Sequence, residues 1–348
     1  MRYLGLYKKT HQQWLEEMSQ SKYLEFENDS YNQGALVDQL ENRVNNLLGK
    51  QSSLFFNKGV TAQLAAMKVV CDARNNNLIA LHPQSHIILD EEDAYQILLN
   101  LKSISIGKSN QSIIFDDLKS INEIPAIFIL ELPLRRAGFK LSDWNELLKI
   151  REWCDANNIH LHMDGARLWE SAPYYQKSFA EISSLFDSVY VSLYKGIGAI
   201  SGAVLAGTND FIEKCKPWRA RLGSHLWTTF PSLITSLNGL DNNLPQIPSW
   251  VHRAQTLADK LQKIDGLIVD IPQCNSFQLR IHTDNLKELN AKLTQLESEF
   301  DMKICRPFSD YSESSSLKFT EVQVGASHQS IDDDEMIELF TQLISKLF

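Results

Sequence analysis

The period of the apolar positions changes repeatedly along this chain, and each change marks an element. Residues 1–30 are polar and aromatic, with a helical pattern around His11–Met18. Val37, Leu40, Val44, Leu47 and Leu48 recur at helical spacing, so Asp38–Gly49 reads as an amphipathic helix stopped by Gly49. Ser53–Phe56 is a short apolar run and reads as a strand, Asn57-Lys58-Gly59 turns the chain, and Thr61–Val70 reads as a helix. Further on, apolar runs at Leu78–Leu81, Ala126–Leu130, Ile159–Asp164, Ser188–Leu193 and Ala203–Ala206 alternate with helical patterns at Asp93–Leu101 and Ser142–Asn157. Ser142 stands where an N-cap would. Strands separated by helices in this rhythm predict an α/β fold, a mostly parallel central sheet with helices on both faces.

The pattern shifts at Asn243–Pro248, where two prolines in a polar stretch predict a domain boundary. Beyond it come a helix at Val251–Ile264, strands at Leu267–Val269 and Phe277–Ile281, a helix at Leu286–Phe300, and strands at Met302–Cys305 and Leu317–Val322. Asp310–Ser316 reads as a polar loop. A C-terminal helix follows, with Ser330 as a candidate cap and Asp332, Asp333 and Asp334 in its first turn, where the helix dipole favours anions. The expected organisation is an N-terminal arm over residues 1–35, a large domain over 36–245 and a smaller α+β domain over 246–348. There is no internal repeat or coiled coil.

Composition narrows the function classes. The chain has 348 residues, 43% hydrophobic and 22% charged, an ordinary globular balance that needs no disulfide or structural metal to hold a core. A formal net charge of −9 argues against a dedicated nucleic-acid binder. No stretch approaches the roughly 20 apolar residues of a membrane span, and the N-terminus lacks the apolar core of a signal peptide. The five cysteines are widely spaced and form no C-x-x-C pair, as in a reduced, cytoplasmic protein.

Two segments carry chemistry. In His162-Met163-Asp164-Gly165-Ala166-Arg167 the carboxylate of Asp164 stands at the carboxyl end of an expected strand, where open α/β sheets bind ligands. A carboxylate there can hold the proton of a pyridine nitrogen and keep that ring an electron sink; on its own, Asp-Gly is also an ordinary turn. Thirty-one residues later, Ser192-Leu193-Tyr194-Lys195-Gly196-Ile197-Gly198 ends another expected strand. A lysine there can lose solvation and become a nucleophile toward a carbonyl, and the glycines admit a close ligand. A lone lysine is otherwise a solvated surface group.

Together these segments resemble the threonine aldolase and β-eliminating lyase family, pyridoxal 5′-phosphate enzymes of the aspartate-aminotransferase fold (fold type I). The resemblance runs from about Asp29 to Gly223, and more weakly beyond. Further points of likeness are Asp29-Ser30-Tyr31, Leu40-Glu41, Leu130-Glu131-Leu132-Pro133 with Arg135 and Gly138, Ala203–Gly207 and Trp218–Gly223. It implies that Lys195 holds the cofactor as a Schiff base and that Asp164 pairs its ring nitrogen. It also implies that His86 stacks on the ring and can serve as a base, and that Arg167 binds near the cofactor oxygen or the substrate carboxylate. Gly59, Val60 and Thr61 would hold the phosphate at a helix N-terminus, where free N–H groups suit an anion, with Lys58 and Ser192 beside them. Glu131 is either a partner of Arg135 or Arg136 or an orienting residue behind the site. No metal is implied.

The sequence also departs from that family. The usual S-G-T phosphate loop is replaced by Lys58-Gly59-Val60, with the hydroxyl displaced to Thr61. An N-terminal S-D-T segment is missing, and Lys318 stands near the position of a late arginine that binds the substrate carboxylate. Tyr31 and Lys318 are substrate-binding candidates beside Arg167. The implied activity is retro-aldol cleavage of L-threonine or a related β-hydroxy amino acid to glycine and an aldehyde. The same constellation also serves β-elimination, racemisation or transamination, or a catalytically weak cofactor-binding homologue. The resemblance implies a homodimer or homotetramer, with Tyr31, Arg219, Arg221 and His225 as candidate cross-subunit contacts.

Overall fold

The computed structural model describes residues 1–6, 8–311 and 314–347. In chain order the first elements are β1 (Arg2–Tyr3), α1 (His11–Ser19), α2 (Ala35–Leu48), β2 (Ser52–Phe56), α3 (Gly59–Arg74), β3 (Leu78–Leu81), α4 (His86–Leu89), α5 (Ala94–Leu99) and β4 (Lys102–Ser105). Then follow β5 (Ile127–Glu131), α6 (Trp144–Ala156), β6 (His160–Gly165), α7 (Leu168–Tyr175), α8 (Phe179–Ser184), β7 (Ser188–Ser192), β8 (Ala203–Gly207), α9 (Asn209–Arg221) and α10 (Phe230–Asn242). Two compact units contain them: His11–Leu244, and Met1–Thr10 together with Pro245–Phe348.

The first unit is built on seven strands in the order β2-β8-β7-β6-β5-β3-β4. All run parallel except β8, which is antiparallel to both neighbours. Strands β3, β7 and β8 are buried along their whole length, as expected of strands covered on both faces, and this is why they read as unbroken apolar runs. β4 is the exception. Its sequence, Lys-Ser-Ile-Ser, is polar because it closes the sheet edge, so the apolar pattern does not reveal it.

Helix α2 starts at Ala35, ahead of the expected Asp38, and buries Val37, Leu40, Val44 and Leu48 of the predicted stripe with Leu36 besides, while Leu47 is half-buried; Gly49 ends it in the left-handed conformation. Helix α3 is buried almost continuously from Ala62 to Cys71. Helix α6 is capped differently from expectation. Asp143, not Ser142, takes the cap position, because the Ser142 hydroxyl is committed to the Ile113 carbonyl at 2.7 Å. Helices α7 and α9 each contain an internal proline, at 173 and 217, which breaks up the pattern that would announce them, while α10 carries Pro231 in its first turn.

Residues 11–35 are part of the first unit rather than of a separate arm. Tyr23 donates its hydroxyl to Asp241 at 2.9 Å and Ser21 donates to Asn238 at 2.7 Å. The buried Asp29 carboxylate accepts both the N–H and the hydroxyl of Thr229 at 2.9 Å. Below the sheet's centre, Ser188 Oγ lies 2.7 Å from His160 Nε2 and 2.6 Å from His162 Nδ1, while His162 Nε2 lies 2.6 Å from Gln63 Oε1. Burial drives the His162 pKa down to about 3, so this imidazole is packed and neutral.

The second unit comprises α11 (Ile247–Leu261), β9 (Leu267–Val269), β10 (Ser276–His282), α12 (Leu286–Glu299), β11 (Met302–Lys303), β12 (Ser309–Tyr311), β13 (Ser314–Gln323) and α13 (Asp333–Leu347), with β1. Its four-stranded antiparallel sheet has the order β12-β13-β10-β9. The first ten residues belong here because β1 pairs in parallel with β11 and the Arg2 guanidinium is held by Glu335 and the Phe300 carbonyl. The expected loop at Asp310–Ser316 instead lies largely in β12 and β13, with Asp310 opposite Lys318; residues 312 and 313 are outside the described set. Ser330 is not the cap of α13 but ends a short 3-10 turn, and Asp332 Oδ1 accepts the Asp334 N–H at 2.8 Å in its place. Asp333 binds Lys260 and Arg253 at 2.9 Å, so the acidic run serves helix start and packing.

One packing contact ties the fold to the lysine loop. In α10, a Cβ added to Gly239 would stand 2.2 Å from the backbone oxygen of Ile197, two residues after Lys195. Alanine for glycine inside an exposed helix normally gains about 1 kcal/mol. Here Gly239→Ala should instead destabilise by roughly 1–3 kcal/mol through overpacking, measured as the shift in urea unfolding midpoint at constant slope. A stabilised variant would refute the contact.

Candidate active site

The carboxyl ends of β3, β5, β6 and β7 lie along one edge of the central sheet, and β2 also leads into α3 there. Parallel register makes Glu131 the partner of Asp164, and Asp164 the partner of Tyr190, on three adjacent strands. The sequence turns sharply after Asp164 because Gly165 passes against the Tyr190 carbonyl, where a Cβ would come within 2.7 Å. Gly59 at the start of α3 is needed for a similar reason: a Cβ there would stand 2.1 Å from the Tyr190 hydroxyl.

His86 opens α4 directly after β3, with Ser85 as its cap. Its Nδ1 lies 3.3 Å from Glu131 Oε2 and 3.2 Å from Asp164 Oδ2, and its Nε2 lies 3.1 Å from Glu91 Oε1. The Glu131 carboxylate also accepts the backbone N–H of His86 at 3.3 Å and that of Arg135 at 3.4 Å, whereas the Arg136 side chain pairs with Asp90. Glu131 is thus an orienting partner of His86. His86, Glu131 and Asp164 bring one donor atom each within 4.8 Å of the others, the imidazole serving as counter-charge to the carboxylates.

The electrostatics follow from burial and these neighbours. Burial pulls the His86 pKa down, but the charges of Asp164 and Glu131 and the Glu91 contact outweigh it and raise it well above its ordinary value. Burial lifts Asp164 to about 6, opposed by His86 and assisted by Glu131. Lys195, three residues beyond β7, is brought down to about 8 by burial and by the Arg167 charge, against the pull of Asp164, Glu131 and Glu170. Its amine makes no hydrogen bond or ion pair among the described residues. A lysine in this state is a competent nucleophile near neutral pH.

Several buried polar atoms of this edge have no hydrogen-bond partner among the described residues: Asp164 Oδ2, Ser192 Oγ, Arg167 Nε and both carboxyl oxygens of Glu170. Asp164 Oδ2, close to His86 but badly aligned with it, fits the N–H of a protonated ring. Arg167 caps α7 and stacks its guanidinium 5.4 Å from the Phe139 ring, open to an anionic partner. The first-turn N–H groups of α3, at Gly59, Val60 and Thr61, lack intrahelical acceptors and with Ser192 Oγ suit a phosphate. Thr61 Oγ1 is already engaged with the Lys58 carbonyl at 2.7 Å, and Lys58 is exposed at the cap.

Two further candidates have partners of their own. The recorded ring contacts of Tyr31 are to His225 and Trp227, at centroid distances of 5.3 and 5.1 Å. Lys318 is in the second unit on β13, its amine 2.8 Å from Asp310. Glu91 and Glu170 have no motif signal, and pattern reading passes over both. Glu170 is detectable only as an acidic residue in an otherwise apolar turn of α7.

In the ligand-free protein the displaced Lys195 pKa has a stability consequence. Below about pH 8 the amine is charged in both states, and its burial destabilises the fold. Between about 8 and 10.5 the folded state releases the proton first, so stability rises with pH across that window. Lys195→Met should therefore be more stable than wild type below pH 8, on the order of 1–3 kcal/mol. The advantage should vanish by about pH 10.5 in urea titrations. A pH-independent difference would exclude a depressed amine.

The chain is also similar to several known proteins. Residues 11–284 match the model of the beta-eliminating lyase family. The crystal structure of a candidate L-allo-threonine aldolase from Listeria monocytogenes superposes with a TM-score of 0.93 at 34% identity, covering 100% of this chain and 96% of that one. Low-specificity L-threonine aldolase 1 of Arabidopsis thaliana is 25% identical over 274 residues, 73% of each chain. The Escherichia coli low specificity L-threonine aldolase is 23% identical, covering 75% of this chain and 79% of its own.

Proposed function

The chain belongs to the beta-eliminating lyase family, and from that premise we propose that it cleaves L-threonine or a related β-hydroxy amino acid to glycine and an aldehyde with pyridoxal 5′-phosphate. The observation that carries the reading is a buried, unaligned carboxylate oxygen on Asp164 at the same sheet edge as a desolvated Lys195 amine.

When bound, the cofactor supplies a sink for the electron pair released as a bond at the amino acid's α-carbon breaks. Lys195 Nζ would hold it covalently. Asp164 Oδ2 would accept the ring N–H and keep that nitrogen protonated. The start of α3 with Gly59, Val60 and Thr61, together with Ser192 Oγ, would take the phosphate, and Lys58 would add charge beside it. Arg167 would orient the substrate carboxylate or the cofactor's ring oxygen through a guanidinium whose Nε has no partner. His86 would stack on the ring and move the β-hydroxyl proton, directly or through a water it holds. Three carboxylates keep His86 charged in the ligand-free protein, and engaging Asp164 with another donor would remove one of the three and move His86 toward the neutral form that a base needs.

Tyr31 and Lys318 stay in this proposal as substrate-side residues. The exposed aromatic group of Tyr31 and Trp227, with His225, supports an assembly in which a second copy of the chain brings Tyr31 to the site. Five buried cysteines, none of them in a disulfide among the described residues, support a reducing, cytoplasmic setting. Among the described residues no helix is long and apolar enough to cross a membrane.

The test is a panel of β-hydroxy amino acids with cofactor-loaded protein and product identification. Glycine and an aldehyde should form in equal amounts. Lys195→Ala should lose the cofactor fixed by borohydride, and His86→Asn should lower kcat/KM about 10²–10⁴-fold while cofactor absorbance is retained. Keto acid and ammonia without aldehyde would replace cleavage by β-elimination.

A further inference from the structure

The opposite edge of the central sheet holds a cleft that takes no part in the proposed chemistry. The amino ends of β2, β6 and β7 meet there, and β8, which runs the other way, brings its carboxyl end to the same edge. A cavity of about 510 Å³ opens between Lys50, Arg74, His160, Phe186 and Phe211, a size that suits a small organic ligand. From His160 to Asp164 is about 13 Å of strand, so the cleft is distinct from the candidate active site. Its floor is apolar. Val69, Val70 and Phe186 are buried, and the rings of His160 and Phe211 lie 5.5 Å apart at an angle of 32°. Gly207 allows the Phe211 ring to close over the end of β8, because a Cβ there would stand 2.7 Å from it. The imidazole is neutral. Burial brings the His160 pKa down to about 4, with the charges of Arg74, Arg151 and Lys50 adding to the effect and Asp187 opposing it.

The charge around the cleft is unbalanced. Its acids are engaged: Asp187 pairs with Arg151 at 3.0 Å and accepts the Leu161 N–H at 2.7 Å, and Asp210 pairs with Lys214 at 2.7 Å. The start of α9 is engaged too, since Gln51 takes the Asn209 N–H and Thr208 that of Phe211. Lys50 and Arg74 are different. Each donates to a backbone carbonyl, Lys50 to Phe186 and Arg74 to Asn158, and neither forms an ion pair among the described residues. An ammonium carries three N–H groups and a guanidinium five, so further donors remain on both. Burial also lowers the Lys50 pKa, and an anion beside the amine would reverse that.

We propose that this cleft binds a small organic anion with a flat apolar body, an aromatic carboxylate or an aryl phosphate. The charged head lies between Lys50 and Arg74, and the ring packs on Phe211 and His160. The site does not depend on the assignment of Lys195. Were the two cations only pins for the loops at Phe186 and Asn158, the cleft would show no preference for an anion.

The test is photolabelling of the cofactor-loaded protein with 4-azidobenzoate, mapped by peptide mass spectrometry. Label should enter the segments 49–51, 69–74 and 207–214 that line the cleft. Benzoate or phenyl phosphate should protect them with a half-effect on the order of 1 mM, and the stronger protector identifies the head group. Benzyl alcohol lacks the charge and inorganic phosphate lacks the ring, so each should protect at least about tenfold more weakly. Equal protection by either overturns the proposal. Lys50→Gln and Arg74→Gln should each cut the protectable label about tenfold while the cofactor absorbance stays unchanged. Label that is absent from these segments, or that persists in either variant, overturns the proposal. Should a variant fail to fold, the protection pattern of the wild type decides alone.

Discussion

Two carboxylates, Glu131 and Asp164, face each other across adjacent parallel strands in a buried position, and the site depends on how that repulsion is settled. Side by side in low dielectric, one of them would ordinarily take a proton. The imidazole of His86 prevents this for Glu131, whose pKa lies below its usual range although burial alone would raise it. Asp164 is compensated less fully and rises to about 6. The difference matters chemically. The better-served acid becomes a fixed orienter of His86, and the worse-served one keeps an oxygen that can still accept a strong donor.

The lysine is placed by backbone packing more than by its own contacts. Gly239 lets α10 close on the Ile197 carbonyl, Gly196 lets α7 close from another side, and Trp169 pins the Ser192 carbonyl. Each of these is a tight approach that a larger residue would prevent. The glycines of the Ser192–Gly198 segment therefore serve the protein's own helices as well as a ligand. A nucleophile held in this way need not be tethered through its amine, which stays free for chemistry.

How much of this was legible follows from what each feature leaves in the sequence. The central strands were visible because they are buried on both faces, and Asp164 and Lys195 because they end such strands. β4 was hidden by its edge position, α7 and α9 by internal prolines, and the α6 cap by a serine whose hydroxyl had a distant partner. Glu131 carried two readings that only distances could separate. Glu91 and Glu170 carried none, since a buried acid is recognisable only by what surrounds it. The pairing of β1 with β11 joins residues some 300 apart in sequence, which no local pattern records.

The polar group beneath the sheet sets a constraint of its own. A serine hydroxyl has one proton to give, yet Ser188 faces two imidazoles. With His162 Nε2 giving its hydrogen to the Gln63 carbonyl, His162 Nδ1 can only accept, so Ser188 must point its proton there and receive one from His160. The hydrogens then run one way from His160 to Gln63, and each ring is restricted to a single tautomer. Because His162 and Ser188 are register partners, sliding β6 along β7 by one residue would break this relay at its middle. In a sheet whose apolar strands could otherwise slip, the relay works as a key cut for one alignment, the one that sets Asp164 beside Tyr190.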